Sequence, residues 1–410
     1  MRFDSIIIGG GLSGLLSGIA LARGGSKVAI ISSGKSALHF FSGSLELWRE
    51  GAESLEHFAR ENSSHPYSKI IEAGSIEGYT AIVKDIFSRA GIALKGDGSQ
   101  NHLRLTPLGA LKPAWLTMDE YLTFDTEGEC GYRKVALVGI EGYMDFYPEF
   151  IAGELAKRGL ECRLYNVSLA AFDSLRESAT EMRAVQISRS LRGEVVAEYA
   201  SKIAQVVGDE ELVLLPAVFG LGDKEALGTI ENATGKRVLV APTVSVSASG
   251  VRVQKALMEE FQRLGGKVLS NDSVTGCTIE EGKVRSIRTA NLEGEELVAE
   301  NYILATGSLF GRGLVATAEG VYEPIAGLDV VAPTLRQEWY SKDLLDAQPF
   351  ERFGVATDNL LHPLLGGKPG ENLYAIGALL AGADAVKEGC GGGIAVMSAL
   401  RVVKEIEKRG

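Results

Sequence analysis

The chain has 410 residues, 42 basic against 53 acidic side chains, and a net charge of −11. That balance excludes a broad electrostatic footprint for nucleic acid or an anionic lipid surface, and an apolar content of 45% excludes intrinsic disorder. The unusual quantity is glycine, 50 of 410 residues, against a usual share of about 7%.

Cys130, Cys162, Cys277 and Cys390 lie far apart with no C-x-x-C pair. Neither a disulfide framework nor a zinc or iron–sulfur site is expected, no metal is assigned, and a reducing, cytoplasmic setting fits best. The length calls for two domains, or one interrupted by an insertion.

Phe3–Ile8 reads as a buried strand, Leu12–Arg23 as a helix and Lys27–Ile31 as a second buried strand. This β-α-β unit opens a doubly wound parallel sheet. The uncharged run Ser5–Ala22 has the outline of a signal peptide, with Arg2 before it and Ala20-Leu21-Ala22 like a cleavage site. Asp4 at its edge and Gly9, Gly10, Gly11, Gly14 and Gly18 within it argue against export, because a cofactor loop accounts better for those glycines. No other stretch reaches the roughly 18 apolar residues of a spanning helix, so no direct membrane insertion is expected.

Ser32–Ser44 is a Ser/Gly-rich loop and Leu45–Glu61 reads as a helix. From Tyr79 to about Thr243, strands at Val135–Val138, Leu164–Val167, Leu212–Leu215 and Val238–Val240 alternate with helices near Phe146–Lys157, Ala179–Leu191 and Glu194–Val206. Then come a helix over Val251–Leu264, strands at Lys267–Leu269, Val274–Ile279, Val284–Thr289, Asn301–Ala305 and Asn372–Ile376, and a closing helix through Val403. The expected fold is α/β. A Rossmann-like flavin-binding domain comprises residues 1–78, 245–325 and 350–410, and an inserted α/β substrate or cap domain comprises 79–244 with 326–349.

Three motifs carry chemistry. In Gly9-x-Gly11-x-x-Gly14 the glycines allow the tight turn, the approach of backbone to a pyrophosphate, and close helix–sheet packing, with phosphates on the free N–H groups of the helix start. About 18 residues on, where a carboxylate normally receives the ribose hydroxyls, the chain has Ser32 and Ser33. That departure weakens the grip on the adenosine half and leaves FMN and a loosely held FAD both open. Tyr302-Ile-Leu-Ala-Thr-Gly-Ser308 resembles the second fingerprint of two-dinucleotide-fold flavoproteins. Glu371-Asn-Leu-Tyr-Ala-Ile-Gly-Ala378, followed by Glu388-Gly-Cys-Gly-Gly-Gly-Ile-Ala-Val396, resembles the third, whose helix start can stabilise charge on a reduced flavin.

More specific strings extend the resemblance. Arg2-Phe3-Asp4-Ser5, Ser36-Ala-Leu-His-Phe-Phe-Ser-Gly-Ser-Leu45, Leu105-Thr-Pro-Leu-Gly109, Val138-Gly-Ile-Glu-Gly-Tyr-Met-Asp-Phe146 and Glu323-Pro-Ile-Ala-Gly-Leu-Asp-Val330 are similar to the B subunit of the anaerobic glycerol-3-phosphate dehydrogenases, over nearly the whole length. The resemblance implies a flavoprotein, usually with FMN, working beside an FAD-containing A subunit and an iron–sulfur, membrane-anchoring C subunit on the cytoplasmic face of the inner membrane. Together these oxidise sn-glycerol 3-phosphate to dihydroxyacetone phosphate and pass electrons to quinone, with fumarate or nitrate as terminal acceptor.

The implied cofactor contacts are Gly9, Gly11, Leu12, Ser13, Gly14, Ser32, Ser33, Ser42, Gly43, Ser44, Val274, Ala305, Thr306, Gly307, Gly377, Gly391, Gly392, Gly393 and Ile394. Ser36 belongs to the same loop. Catalytic residues are not selected by spacing. His39, His102 and His362 are candidates for imidazole chemistry, His39 more as a packing residue. Arg104, Lys112, Arg183, Arg189 and Arg336 are candidate phosphate ligands, each of a type more often found simply at the surface. Cys390, before three glycines, is either a thiol activated by a helix start or a small residue required by close packing, and the second is preferred. Rival readings are an electron relay between the other subunits, a redox-silent structural subunit, and a stand-alone fumarate-reductase-like flavoenzyme.

Overall fold

The computed structural model describes every residue except Lys35, residues 72–74, Ala179 and Gly410. The apolar run near the N-terminus becomes strand β1 (Arg2–Ile8), followed by helix α1 (Leu12–Arg23) and strand β2 (Val28–Ser32). Helix α2 (Ala248–Arg263) leads into β3 (Lys267–Ser270), and β4 (Val298–Leu304) and β5 (Leu373–Ala375) complete the sheet before the closing helix α3 (Gly391–Glu407). The strand order is β3-β2-β1-β4-β5, all parallel. Strands covered on both faces read as continuous apolar runs, and Ile6, Ile7, Ile30 and Ile303 are all fully buried.

Register aligns the strand ends. Ile8 lies beside Ile31 and Leu304, and Leu304 beside Ala375. The chain therefore leaves the sheet at Gly9, Ser32, Ala305 and Ile376 along one edge, where ligands of such sheets bind. Helix α1 packs against both α2 and α3.

The middle block forms a second parallel sheet, ordered Glu161–Val167, Lys134–Ile140, Leu212–Pro216, Arg237–Ala241. Helices Pro148–Ala156, Glu194–Val206 and Ala226–Thr234 connect its strands. The helix expected from Ala179 is shorter, Ala184–Ser190, and Ala179 itself lies outside the described residues.

Three expectations of organisation change. The boundary at residue 79 falls inside helix Ser75–Arg89, which packs on α1, α2 and α3 and is tied to them by Arg23–Asp85 at 2.7 Å. The segment 326–349, expected in the insertion, instead joins the C-terminal region: Val330 pairs with Val355, and Lys387 Nζ donates to the Leu345 carbonyl at 2.5 Å. The helix expected from Leu45 begins only at Ala52, because Ser44–Leu45 is a strand that pairs with Leu116–Met118. That same stretch then reaches the second sheet: Leu122 N–H donates to Val240 O, and Val240 N–H to Glu120 O. Among the described residues, no helix is long and apolar enough to cross a membrane.

Candidate functional site

The edge where β1, β2 and β4 end is shaped by glycines with separable reasons. Gly9 has φ +122°, and a Cβ there would lie 2.2 Å from the Ala305 carbonyl oxygen. A Cβ on Gly14 would lie 2.0 Å from the carbonyl oxygen of Gly9. These two are required by the protein's own packing. Gly11 is different: a Cβ there would meet only Ser36 Cβ, at 3.9 Å. It caps α1 with no side-chain hydrogen bond, and the first turn holds no acidic residue. A helix start with free N–H groups and room in front of it suits an anion, with Leu12 and Ser13 in that first turn.

Opposite, Ala305 and Thr306 follow the end of β4 and Gly307 turns away with φ +83°. Thr306 Oγ1 is buried and has no hydrogen-bond partner among the described residues. An orphaned buried hydroxyl is costly unless something satisfies it. Beside it, a Cβ on Gly377 would lie 2.5 Å from Ser13 Oγ, and Gly377 N–H donates to Ser398 Oγ on α3. A bound flavin fits this donor set and this space.

The start of α3 is occupied by the chain itself. A Cβ on Gly392 would lie 2.9 Å from Glu46 N, and one on Gly393 would lie 2.2 Å from Tyr67 Oη. Gly393 N–H already donates to the Glu46 carbonyl at 2.8 Å. Gly391 is exposed and Ile394 buried.

The loop after β2 is held from below. Gln254, on α2, donates its amide hydrogens to the carbonyls of Gly10 and Gly34, so its Oε1 accepts from His39 Nε2 at 2.7 Å. His39 thereby braces the glycine loop through Gln254. Ser32 Oγ accepts from Gly34 N–H while Ser33 is exposed, and the Asp272 N–H donates to the Ser32 carbonyl, bringing half-buried Val274 near this edge. Gly43 fits against the Tyr121 ring, and Tyr121 Oη donates to Ser249 Oγ. Ser42 is half-buried and Ser44 buried.

The candidate acid–base and phosphate residues do not converge. His362 donates from Nδ1 to the Leu373 carbonyl and accepts from Arg409 at Nε2. It sits at the start of β5, the opposite end from the glycine loops, with no ring nitrogen free for a base. His102 contacts Thr117, and burial followed by Lys95 pushes its pKa down to about 4. Arg104 is buried and paired with Glu46, and Arg183 holds Asp145 at 2.7 and 2.9 Å. Lys112, Arg189 and Arg336 are exposed, and Arg336 lies over the Trp339 ring.

Cys390 is buried, and burial followed by the Glu388 charge pushes its thiol far up, the reverse of an activated nucleophile. His65, Glu388 and Cys390 do bring ligand atoms within 4.8 Å of one another. Their hydrogen bonds are already assigned: Tyr67 N–H donates to His65 Nδ1, so Nε2 carries the hydrogen and donates to Glu388 Oε2. A metal would need the lone pair that hydrogen excludes. Burial alone would raise the Glu388 carboxyl, but His65 and Arg352 hold it below the usual range.

Gln254, Thr117 and Thr306 Oγ1 are the groups that sequence reasoning missed or left undistinguished. Only Gln254 carries a signal, a polar residue on the buried face of α2 beside Gly250, Leu257 and Phe261.

Residues 4–394 match the family described as FAD binding domain. A protein of Yersinia enterocolitica (serotype O:8 / biotype 1B), named as the B subunit of anaerobic glycerol-3-phosphate dehydrogenase, is 40% identical over 416 residues, covering 99% of this chain and 98% of that protein. The chain belongs to this B-subunit family. A second member, from Pectobacterium carotovorum subsp. carotovorum, is 36% identical over 420 residues and covers both chains completely. Among solved structures, a 3-ketosteroid delta1-dehydrogenase from Sterolibacterium denitrificans covers the whole chain at 10% identity and a TM-score of 0.49. As a member of the B-subunit family with an FAD binding domain, the chain is a flavin-dependent oxidoreductase subunit.

Proposed function

We propose that this chain is the flavin-carrying B subunit of an anaerobic glycerol-3-phosphate dehydrogenase and that its flavin is FAD. The observation that carries the reading is the uncapped start of α1, with open space before Gly11 and the orphaned Thr306 hydroxyl across from it. The description of the matching family favours FAD over FMN. Backbone at Gly9–Gly14 would take the pyrophosphate, Ser32, Ser33 and Val274 the adenosine end, and Ala305–Gly307, Ser42–Ser44, Gly377 and the exposed Gly391, ahead of the closed part of the α3 start, the ring. When bound, the flavin supplies the redox step, accepting electrons and passing them on.

The reaction of the complex is oxidation of sn-glycerol 3-phosphate to dihydroxyacetone phosphate, with electrons going to quinone and on to fumarate or nitrate. The partners would be an FAD-containing A subunit and an iron–sulfur C subunit that anchors the assembly at the cytoplasmic face of the inner membrane. A charge of −11 opposes direct contact with an anionic leaflet and favours attachment through a partner. In the same reading the first sheet, with residues up to Arg89 and the C-terminal region from 245, forms the flavin-binding part, and the second sheet forms the insertion.

A specific observation favours electron relay by this chain over its own oxidation of the substrate. Arg104 and Arg183 are committed to carboxylates, Lys112, Arg189 and Arg336 are exposed, and His362 is at the far end of the sheet. Guanidinium groups suit a substrate phosphate, and these candidates are not gathered beside the flavin loops. The test is anaerobic mixing of the isolated flavin-loaded chain with glycerol 3-phosphate. Flavin stays oxidised until the A subunit is added if the chain relays, and bleaching without that partner assigns oxidation to this chain. Mass analysis of the released cofactor separates FAD from FMN, and a colourless chain overturns the flavin reading.

A further inference from the structure

We infer that the Ser44 hydroxyl is the hydrogen-bond donor which the loop after β2 presents to the flavin, and that Thr117 and His102 are the positioning residues that fix its direction. This rests on the flavin reading above and deepens it.

Ser44 and Thr117 are paired residues of neighbouring antiparallel strands, 6% and 0% exposed. Thr117 Oγ1 donates to Ser44 Oγ at 2.8 Å. A threonine hydroxyl has one hydrogen, so its 2.6 Å contact with His102 Nε2 must be accepted by the threonine oxygen. That assigns His102 as the neutral Nε2–H tautomer. Burial and the neighbouring Lys95 keep the ring uncharged well below neutrality. The polarity therefore runs one way, from His102 N–H to Thr117 to Ser44.

At the end of the chain, the Ser44 oxygen is filled as an acceptor. Its own hydrogen has no acceptor among the described residues. A buried hydroxyl with a spare hydrogen is complete only when something outside the protein accepts from it. Its position names the recipient. Ser44 follows Gly43 of the loop and precedes Leu45–Leu47, whose backbone lies against Gly392 and Gly393 at the start of α3. The loop meets the helix there, just after the exposed Gly391, beside which the proposed ring would sit. A donor fixed at the ring tunes its electronics, and a network holds a donor more rigidly than a lone rotor does.

The experiment uses the full chain purified with its flavin. Flavin content, absorption spectrum, flavin midpoint potential and thermal unfolding are measured for Ser44→Ala, Thr117→Val, Thr117→Ser and the double variant Ser44→Ala/Thr117→Val. Flavin is expected to remain bound while the potential falls in Ser44→Ala and, by less, in Thr117→Val. Thr117→Ser should restore the wild-type potential and spectrum, and the double variant should fall no further than Ser44→Ala alone. A wild-type potential and spectrum in Thr117→Val overturns the inference, as does full additivity in the double variant. If Ser44→Ala does not fold, Thr117→Val and its rescue by Thr117→Ser decide the question. A wild-type chain that takes up no flavin fails at the earlier step, and that failure is visible before any variant is made.

Discussion

Two helices of the first sheet begin in glycines, and they use them for opposite purposes. At α1, Gly11 faces open space and the first turn has no capping side chain. At α3, Gly392 and Gly393 are pressed against Glu46, Leu47 and Tyr67, and the Gly393 N–H is already taken by a carbonyl. One start is kept free for something the protein does not itself supply; the other is closed on the protein's own chain. A glycine cluster alone therefore does not identify a binding loop. What identifies it is the absence of any protein atom that the missing side chain would strike.

Substitution separates the two cases, beginning with the most damaging. Gly9→Ala places a methyl group 2.2 Å from Ala305 O at φ +122°, and should cost at least about 3 kcal/mol in chemical unfolding, with flavin lost alongside. Gly393→Ala drives a methyl group into Tyr67 Oη at 2.2 Å and should cost about 1–3 kcal/mol. Its flavin content should follow that stability loss, and a normal melting curve would refute the packing assignment. Gly11→Ala should change stability by no more than about 1 kcal/mol yet weaken flavin binding about tenfold or more, equivalent to about 1.4 kcal/mol. Unchanged flavin affinity would remove the distinction between the two helix starts.

A smaller effect tests the buried contact between His102 and Thr117. The folded chain resists protonating His102, whose pKa is pushed down to about 4 from an ordinary 6.5. The unfolded chain then binds the proton first. This contribution to stability is complete above about pH 6.5 and declines as the pH falls toward 4. Urea midpoints at pH 7 and pH 5 should differ less in His102→Gln than in the parent chain, and equal differences would contradict the assignment.

Much of the scaffold is legible because parallel strands buried on both faces are uninterrupted apolar runs. The first β-α-β unit and three of the four strands of the second sheet can be read in this way, while the edge strand Glu161–Val167 is largely exposed and shows only its Leu164–Val167 end. Pairings of two or three residues, such as Ser44–Leu45 with Leu116–Met118, carry no periodicity and merge into a helical pattern or vanish into a loop. Placing 326–349 in the insertion fails for a similar reason, since the Val330–Val355 ladder is only two residues long. At the site, motif spacing locates loops but not the separate reasons for their glycines. The polarity of the Ser44 hydroxyl depends on Thr117, 73 residues further along the chain, and the neighbouring Glu46–Arg104 pair spans 58. Such separations leave no local trace. Arg104 and Arg183 show the converse, because residue type suggests phosphate ligands where geometry supplies carboxylate partners.

The stretch from Leu116 to Leu122 is hydrogen-bonded at one end to Ser44–Leu45 and at the other to Val240 in the second sheet. Tyr121, between these ends, fills the space beside Gly43 and donates to Ser249 at the start of α2. Mechanically, this makes a short tie-rod. A rotation of the second sheet must either break one set of its backbone bonds or drag the loop that carries Ser44 along with it, so a load applied at one sheet is felt at the edge of the other.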